Sequence, residues 1–400
     1  MYDAIIVGAR CAGSPCAMLL ARKGYKVLLV DRATFPSDTM STHFLWQAGT
    51  ARLHRWGLLD RVRASGCPPI TKITLDFGDF TLCGCAPPAD PAAPENYCPR
   101  RTVLDKILID VAREAGAEVR EAFSVRELLF DGDRGVGIRG VPSGGAAVEE
   151  RARIVIGADG LHSLVARATQ APMTLERPVV SCGYYSYWSG FPIDGLEAYF
   201  RPGRLILAFP TNFSLTLVFI FAPIAEFPRF RADIEAFYLA ALDLVPSLAA
   251  RARSGRREGR FLGGAEFPNF FRKPYGPGWA LVGDAGYHRD PYTAQGISDA
   301  FRDAELLTTA IDDGFSGRRP LDEALAGYER RRNEAVMPEF ESTCQRAALQ
   351  PMPPEMAALL RALQGNQEQI DRLLGTDAGT VSHADFFSPE NVGRILAAAS

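Results

Sequence analysis

The sequence lacks any membrane-spanning run: no stretch of about eighteen residues is apolar throughout, the length a transmembrane helix requires. The nearest, residues 205–225, is interrupted by Pro210, Thr211, Asn212 and Pro223, and two strands joined at Thr211-Asn212 read better. It also lacks paired cysteines. None of the 8 stands in a C-x-x-C pair, and Cys83 and Cys85 are separated by a single residue. That pattern excludes a zinc finger and a disulfide framework, so reduced, structural thiols and no metal are expected. Neither sign of charge dominates: 44 basic against 47 acidic residues give a net charge of -3, which offers nothing to nucleic acid. A basic leader is missing before the apolar residues that follow Met1-Tyr2-Asp3, so no signal peptide and a cytoplasmic address are expected. Internal repeats and low-complexity tracts are absent too. What is present, 47% hydrophobic and 23% charged residues, is the balance of a folded globular chain rather than a disordered one.

At 400 residues the chain exceeds the roughly 250–300 that one core serves, so two lobes are expected. Ala4 to Val7 reads as a strand, Gly13 to Lys23 as a helix stopped by Gly24, and Tyr25 to Val30 as a second strand. This β-α-β unit implies a parallel sheet with a right-handed crossover. Thr102 to Ala115 has apolar residues at helical spacing, and Val125 to Val148 reads as a hairpin turning near Gly132. Val179 to Phe230 is rich in aromatic and β-branched residues cut by Pro and Gly, the pattern of an antiparallel sheet. Within it Phe213, Leu215, Leu217, Phe219 and Phe221 are expected on one strand face. Asp233 to Arg253 reads as helical, Trp279 to Val282 as a buried strand, and Gly296 to Asp313 and the chain beyond Leu321 as helices. The fold class expected is α/β, a Rossmann-type nucleotide-binding domain with an antiparallel β-sheet second domain and a helical C-terminus. Residues 1–75, 100–178 and 272–330 are assigned to the first, 76–99 and 179–271 to the second, and 331–400 to the last.

Three separated segments carry the chemistry. In the first, Gly8-Ala9-Arg10-Cys11-Ala12-Gly13 follows a strand and opens a helix, as the dinucleotide fingerprint requires. Gly8 permits the turn, Gly13 permits close helix packing, and the helix N-terminus offers free N–H groups to a pyrophosphate. Asp31, ending the next strand, is placed to accept from ribose hydroxyls. Arg10 occupies the middle glycine position, and its guanidinium is expected near the pyrophosphate or the flavin edge, or else in solvent. The second segment is Gly157-Ala158-Asp159-Gly160, after a strand. The third is Gly283-Asp284-Ala285, continuing as Pro291 and then Gln295-Gly296-Ile297 at the start of a helix. A helix N-terminus there suits the electron-rich flavin N1–C2=O edge. Gly135-Val136-Gly137-Ile138-Arg139-Gly140 also matches G-x-G-x-x-G, but it lies inside the hairpin with no helix after it, so it is expected to bind nothing.

Together these segments resemble the class A flavoprotein monooxygenases, the para-hydroxybenzoate hydroxylase-like group. The resemblance implies that Gly8, Gly13 and Asp31 serve the ADP half of FAD, with Arg32 beside them. It implies that Asp159 serves FAD and a passing nicotinamide, and that Asp284 meets the ribityl or pyrophosphate region. Pro291, Gln295, Gly296 and Ile297 would border the isoalloxazine ring, and Arg101 would lie near the flavin. Ala294-Gln295-Gly296 stands where the group usually has Gly-Gln-Gly, and Tyr287 where it usually has histidine.

The resemblance further implies NAD(P)H as a transient reductant and O2 as co-substrate, with oxygen delivered through a flavin C4a-hydroperoxide to an aromatic or polycyclic small molecule. The second lobe offers Tyr185, Tyr187, Phe209 and Phe219 as candidates to touch it. His43, in a polar loop, and His288 and Tyr292, flanking the third segment, are candidate catalytic residues; His162 is expected only to support its turn. Three rivals remain. A flavin-dependent reductase of the geranylgeranyl-reductase type shares the FAD segments and acts on an isolated double bond. A flavin halogenase is matched only in part by Tyr187-Trp188-Ser189-Gly190-Phe191-Pro192. A non-catalytic relative like the Rab escort proteins is disfavoured by intact second and third segments.

Overall fold

The computed structural model describes residues 1–398. The chain begins with β1 (Tyr2–Val7), α1 (Gly13–Arg22) and β2 (Val27–Val30), passes α2 (Gln47–Trp56), and forms a short hairpin of β3 (Ile73–Asp76) and β4 (Thr81–Gly84). It continues through α3 (Arg101–Glu114), β5 (Glu118–Arg120), β6 (Phe123–Asp131), β7 (Arg134–Pro142), β8 (Val148–Gly157) and α4 (Leu164–Ala168). Next come β9 (Ser181–Ser189), β10 (Leu196–Arg201), β11 (Arg204–Thr211), β12 (Leu215–Pro223), β13 (Arg256–Gly264), β14 (Tyr275–Gly276) and β15 (Trp279–Leu281). The chain then turns helical in α5 (Gly296–Phe315), α6 (Leu321–Ala347), α7 (Pro354–Ala362) and α8 (Gln367–Ala378), followed by two shorter helices. No helix among the described residues is long and apolar enough to cross a membrane.

Two sheets organise the molecule. The first has the order β14-β15-β8-β1-β2-β5, with the β6–β7 hairpin joined to the first half of β8. Its central strands are parallel. Ile5, Ile6, Leu28, Leu29, Val155 and Ile156 are inaccessible, as expected of strands covered on both faces. The first connection runs from β1 to β2 on one side, while β8 lies on the other. The gap between the ends of β1 and β8 is therefore a topological switch point, where open α/β sheets bind ligands.

The second sheet has the order β13-β9-β12-β11-β10-β3-β4. One face packs on helices α7 and α8, the other on helices within 227–254. Leu217, Phe219 and Phe221 do share the first face, but Phe213 does not: it sits in the β11–β12 turn at φ 66°, 67% exposed. β3 pairs in parallel with β10, Ile73 opposite Leu196, so the second lobe starts before residue 76. The last helical stretch opens with α6 at Leu321, where the sequence reads as helical. The expected helix 233–253 is two helices, Ile234–Asp243 and Pro246–Ser254, because Pro246 cannot continue the first.

Candidate functional site: a cleft at the strand ends

The backbone of the first segment is shaped by what it touches. Gly8, at φ 104°, lies so near the second segment that a Cβ would sit 2.4 Å from Ala158 O, and a Cβ on Gly13 would sit 1.8 Å from Gly8 O. Any larger residue would push the two segments apart. Gly283 packs against Ala12, where a Cβ would come within 2.9 Å of the alanine methyl. The three segments thus meet at the switch point, around a cleft of about 840 Å³. Gly8, Arg10, Asp31, Arg32, Arg101, Asp159, Asp284, Pro291, Gln295, Gly296 and Ile297 all line it; Gly13 stands behind as the packing glycine.

Helix termini show where an anionic or electron-rich ligand fits. α1 and α5 open at the cleft, and neither has a side-chain cap. At α5 the N–H groups of Gly296, Ile297 and Ser298 are left for a ligand; at α1 only Gly13 N is, because Ser14 N donates to Arg10 O (3.0 Å) and Pro15 has no N–H. α4 is different: Asp159 accepts from Ser163 Oγ (2.5 Å), Leu164 N (2.6 Å) and Val165 N (3.3 Å), while Ser163 Oγ accepts from Ala166 N. Burial pushes the Asp159 carboxyl up, against these hydrogen bonds. Asp159 is therefore spent on capping its own helix at the cleft wall. Asp31 is likewise engaged, accepting from Ala9 N (2.7 Å) and Ala33 N (2.8 Å). Asp284 by contrast stands exposed in the cleft. The residues present fit FAD: two helix termini without side-chain caps, from different segments, and an exposed carboxylate in the same cleft.

Arg10 takes neither expected place alone. It borders the cleft, but its guanidinium is anchored to Asp105 Oδ2 (2.6 Å) and Ser37 Oγ (2.9 Å). Asp105 is wholly buried and also accepts from Arg101 Nε (3.1 Å), Arg101 Nη2 (3.0 Å) and Cys11 Sγ (3.3 Å). This carboxylate, holding both arginines at the cleft, was not singled out in the sequence. Its only signal there is its place one turn after Arg101. The β6 strand also borders the cleft, at Phe123, Ser124, Val125 and Arg126 beside Asp31. The hairpin is thus closer to the site than its sequence implies, although Gly135 to Gly140, on β7, do not reach it.

At the other end the cleft meets the second lobe through Tyr185, Phe219 and Phe267. Phe267 follows β13 and carries no sequence signal. Phe209 and Tyr187 do not line the cleft. Phe209 is buried against Phe44, ring centres 5.5 Å apart. Tyr187 lies behind Tyr185, with its hydroxyl on His43 Nε2 and the Arg100 guanidinium 3.9 Å over its ring. His43 is wholly buried rather than in an open polar loop, at φ 63°. A left-handed backbone is uncommon for histidine and often marks a functional position. Burial, then the Arg101 and Arg100 charges, hold its imidazole well below the usual range, so it is neutral. Its Nδ1 and the buried Tyr185 hydroxyl have no hydrogen-bond partner. His288 lines the cleft with Nδ1 donating to Pro268 O at 2.5 Å. Tyr292 turns away, toward Phe221 and Arg346. His162 is exposed at the cleft mouth, 3.3 Å from Glu266. No group of three or more His, Cys, Asp or Glu that could hold a metal occurs among the described residues.

Residues 1–189 match the family described as FAD binding domain. The digeranylgeranylglycerophospholipid reductase 2 of Methanopyrus kandleri is 28% identical over 368 residues, 86% of this chain and 84% of that protein. Among solved structures, the myxobacterial chondrochloren halogenase CndH superposes with a TM-score of 0.80 at 21% identity, covering 100% of this chain and 96% of that one. PqsL, a probable FAD-dependent monooxygenase from Pseudomonas aeruginosa, superposes with a TM-score of 0.71 at 22% identity, covering 94% and 98%.

Proposed function

We propose that this chain, an FAD-dependent oxidoreductase with the class A flavoprotein monooxygenase-like fold, uses NAD(P)H and O2 to hydroxylate an aromatic or polycyclic small molecule. The observation that carries this reading is the second-lobe end of the cleft. Phe219 and Phe267 offer flat apolar walls, and the buried Tyr185 hydroxyl, beside Tyr187 and the Ser41 backbone, has no close hydrogen-bond partner. A buried hydroxyl left unpaired costs roughly 1–3 kcal/mol, so a substrate that supplies a matching polar group recovers that cost. An aromatic ring bearing a hydroxyl or amine has both features.

Bound FAD supplies hydride acceptance and activation of O2. The chain's residues do the rest. The α1 terminus and Asp284 would hold the cofactor, and the α5 terminus at Gly296-Ile297 would favour negative charge near it. Tyr185 orients the substrate's polar group. The Tyr187–His43 pair stands behind it, its imidazole kept neutral by burial and by the Arg101 and Arg100 charges. Phe219, Phe267 and Tyr185 keep water from this end.

A second reading, reduction of an isolated double bond, is supported by the likeness to the Methanopyrus reductase. One assay separates them. With phenolic and polycyclic substrates under ¹⁸O2, the product should gain one labelled oxygen for each NAD(P)H and O2 consumed. A product that gains two hydrogens, with no oxygen uptake, would establish the reductase instead.

A further inference from the structure

Beside the flavin cleft lies a second cavity of about 540 Å³, walled by α2, α5, α6 and the turn after α8. That volume is in the range of small-molecule sites. Arg289, Gln295 and Asp299 line both spaces and form the wall between them. Arg289 is 6% exposed. Its Nη2 donates to Asp299 Oδ2 (2.5 Å) and to Gln295 Oε1, but its Nε and Nη1 have no partner. Ser298, 7% exposed, lines only the second cavity and its buried hydroxyl is also unpartnered.

Across the same cavity stands Glu339, with Oε1 buried and making no hydrogen bond. Its nearest cation is Arg346, at 3.9 Å, and that arginine is already held by Asp377 at 2.7 Å. Burial, then the Asp377 charge, push the Glu339 carboxyl up to about 7. Arg289 and Glu339 share a cavity, yet they make no salt bridge with each other. Free donors and a free acceptor in one cavity are each expensive to leave unmet. The molecule that satisfies both carries an anion at one end and a cation at the other.

We infer that this second cavity is a binding site for a small zwitterion of the α-amino acid class, its carboxylate on Arg289 and Ser298 and its ammonium on Glu339. The site is separate from the flavin cleft, and its ligand touches the wall that carries Gln295.

The test is calorimetric titration of the FAD-loaded protein with glycine and alanine, against acetate and ethylamine as single-charge controls. Saturable binding of an amino acid is expected, at least tenfold tighter than either control. Glu339→Gln keeps the shape and leaves the Arg289–Asp299 pair intact; it should weaken amino-acid binding at least tenfold while leaving acetate unchanged. The FAD affinity of Glu339→Gln should equal that of the parent. Three results would overturn the proposal. One is no binding of either amino acid at millimolar concentration, with only ordered water in a high-resolution structure. Another is binding of acetate as tight as glycine. The third is an Arg289→Gln variant, folded by circular dichroism, that loses FAD while amino acids never bind, which would give the free edge of Arg289 to the cofactor.

Discussion

Single residues at the cleft carry distinct loads. Asp284 stands free in the cleft, so Asp284→Ala removes a charged hydrogen-bond partner without disturbing packing. Such a loss typically costs about 1.5–3 kcal/mol, and the FAD dissociation constant, read by flavin fluorescence, should rise roughly ten- to hundredfold. Arg10→Gly restores the usual fingerprint but strips the buried Asp105 of one of its two arginines. The apo protein should lose about 1–3 kcal/mol in urea denaturation, because a buried carboxylate is left short of partners. Unchanged apo stability would show that the Arg10–Asp105 bridge is idle. His43 sets a pH dependence. Its folded-state pKa lies well below 6.5, the value of the free side chain, so the unfolded chain takes the proton first. The stability it contributes is complete above about 6.5 and is lost as pH falls below it. His43→Gln should flatten the fall in thermal stability between about pH 6.5 and 5, and an unaltered slope would contradict this assignment.

At the scale of elements, the two G-x-G-x-x-G matches are decided by context. On β7, a Cβ at Gly137 would sit 2.1 Å from Glu150 O of the paired strand. Gly137→Ala should therefore strain the sheet and cost about 1–3 kcal/mol, while FAD affinity should stay unchanged because β7 does not reach the cleft. Weaker FAD binding in a protein of normal stability would mean that the hairpin serves the cofactor. The β-α-β unit, α3, the hairpin and α5 were legible because each rests on local signals, apolar period and a glycine at the turn. The cleft's second end was not. Phe209 and Phe219 are both on aromatic strands and both apolar, and only strand order decides that Phe219 faces the cleft and Phe209 the Phe44 side. Asp105 was missed for the opposite reason, since a carboxylate one turn after an arginine reads as an ordinary surface pair. The third partner, Arg10, comes from 95 residues away.

At the scale of the whole molecule, FAD binds only the assembled switch point, so cofactor and fold are linked. Saturating the apo protein at a hundred times the dissociation constant should stabilise it by about 2.7 kcal/mol, seen as a rise in thermal midpoint on FAD addition. No rise would mean that the cleft does not bind FAD in the folded state. The strand order has a further consequence, for how the chain matures. β15, at residues 279–281, pairs directly with β8, and β3, at residues 73–76, waits for β10 at 196–201. Both sheets are therefore closed by partners made long after their first strands. At synthesis rates of about 5–20 residues per second, the nascent chain spends several seconds with one edge of β3 and one edge of β8 unpaired. The first sheet cannot close before every strand of the second has emerged, so truncation anywhere before residue 281 should leave the β8 edge open in an aggregation-prone intermediate, and chaperone dependence during translation should exceed that during refolding of the full chain.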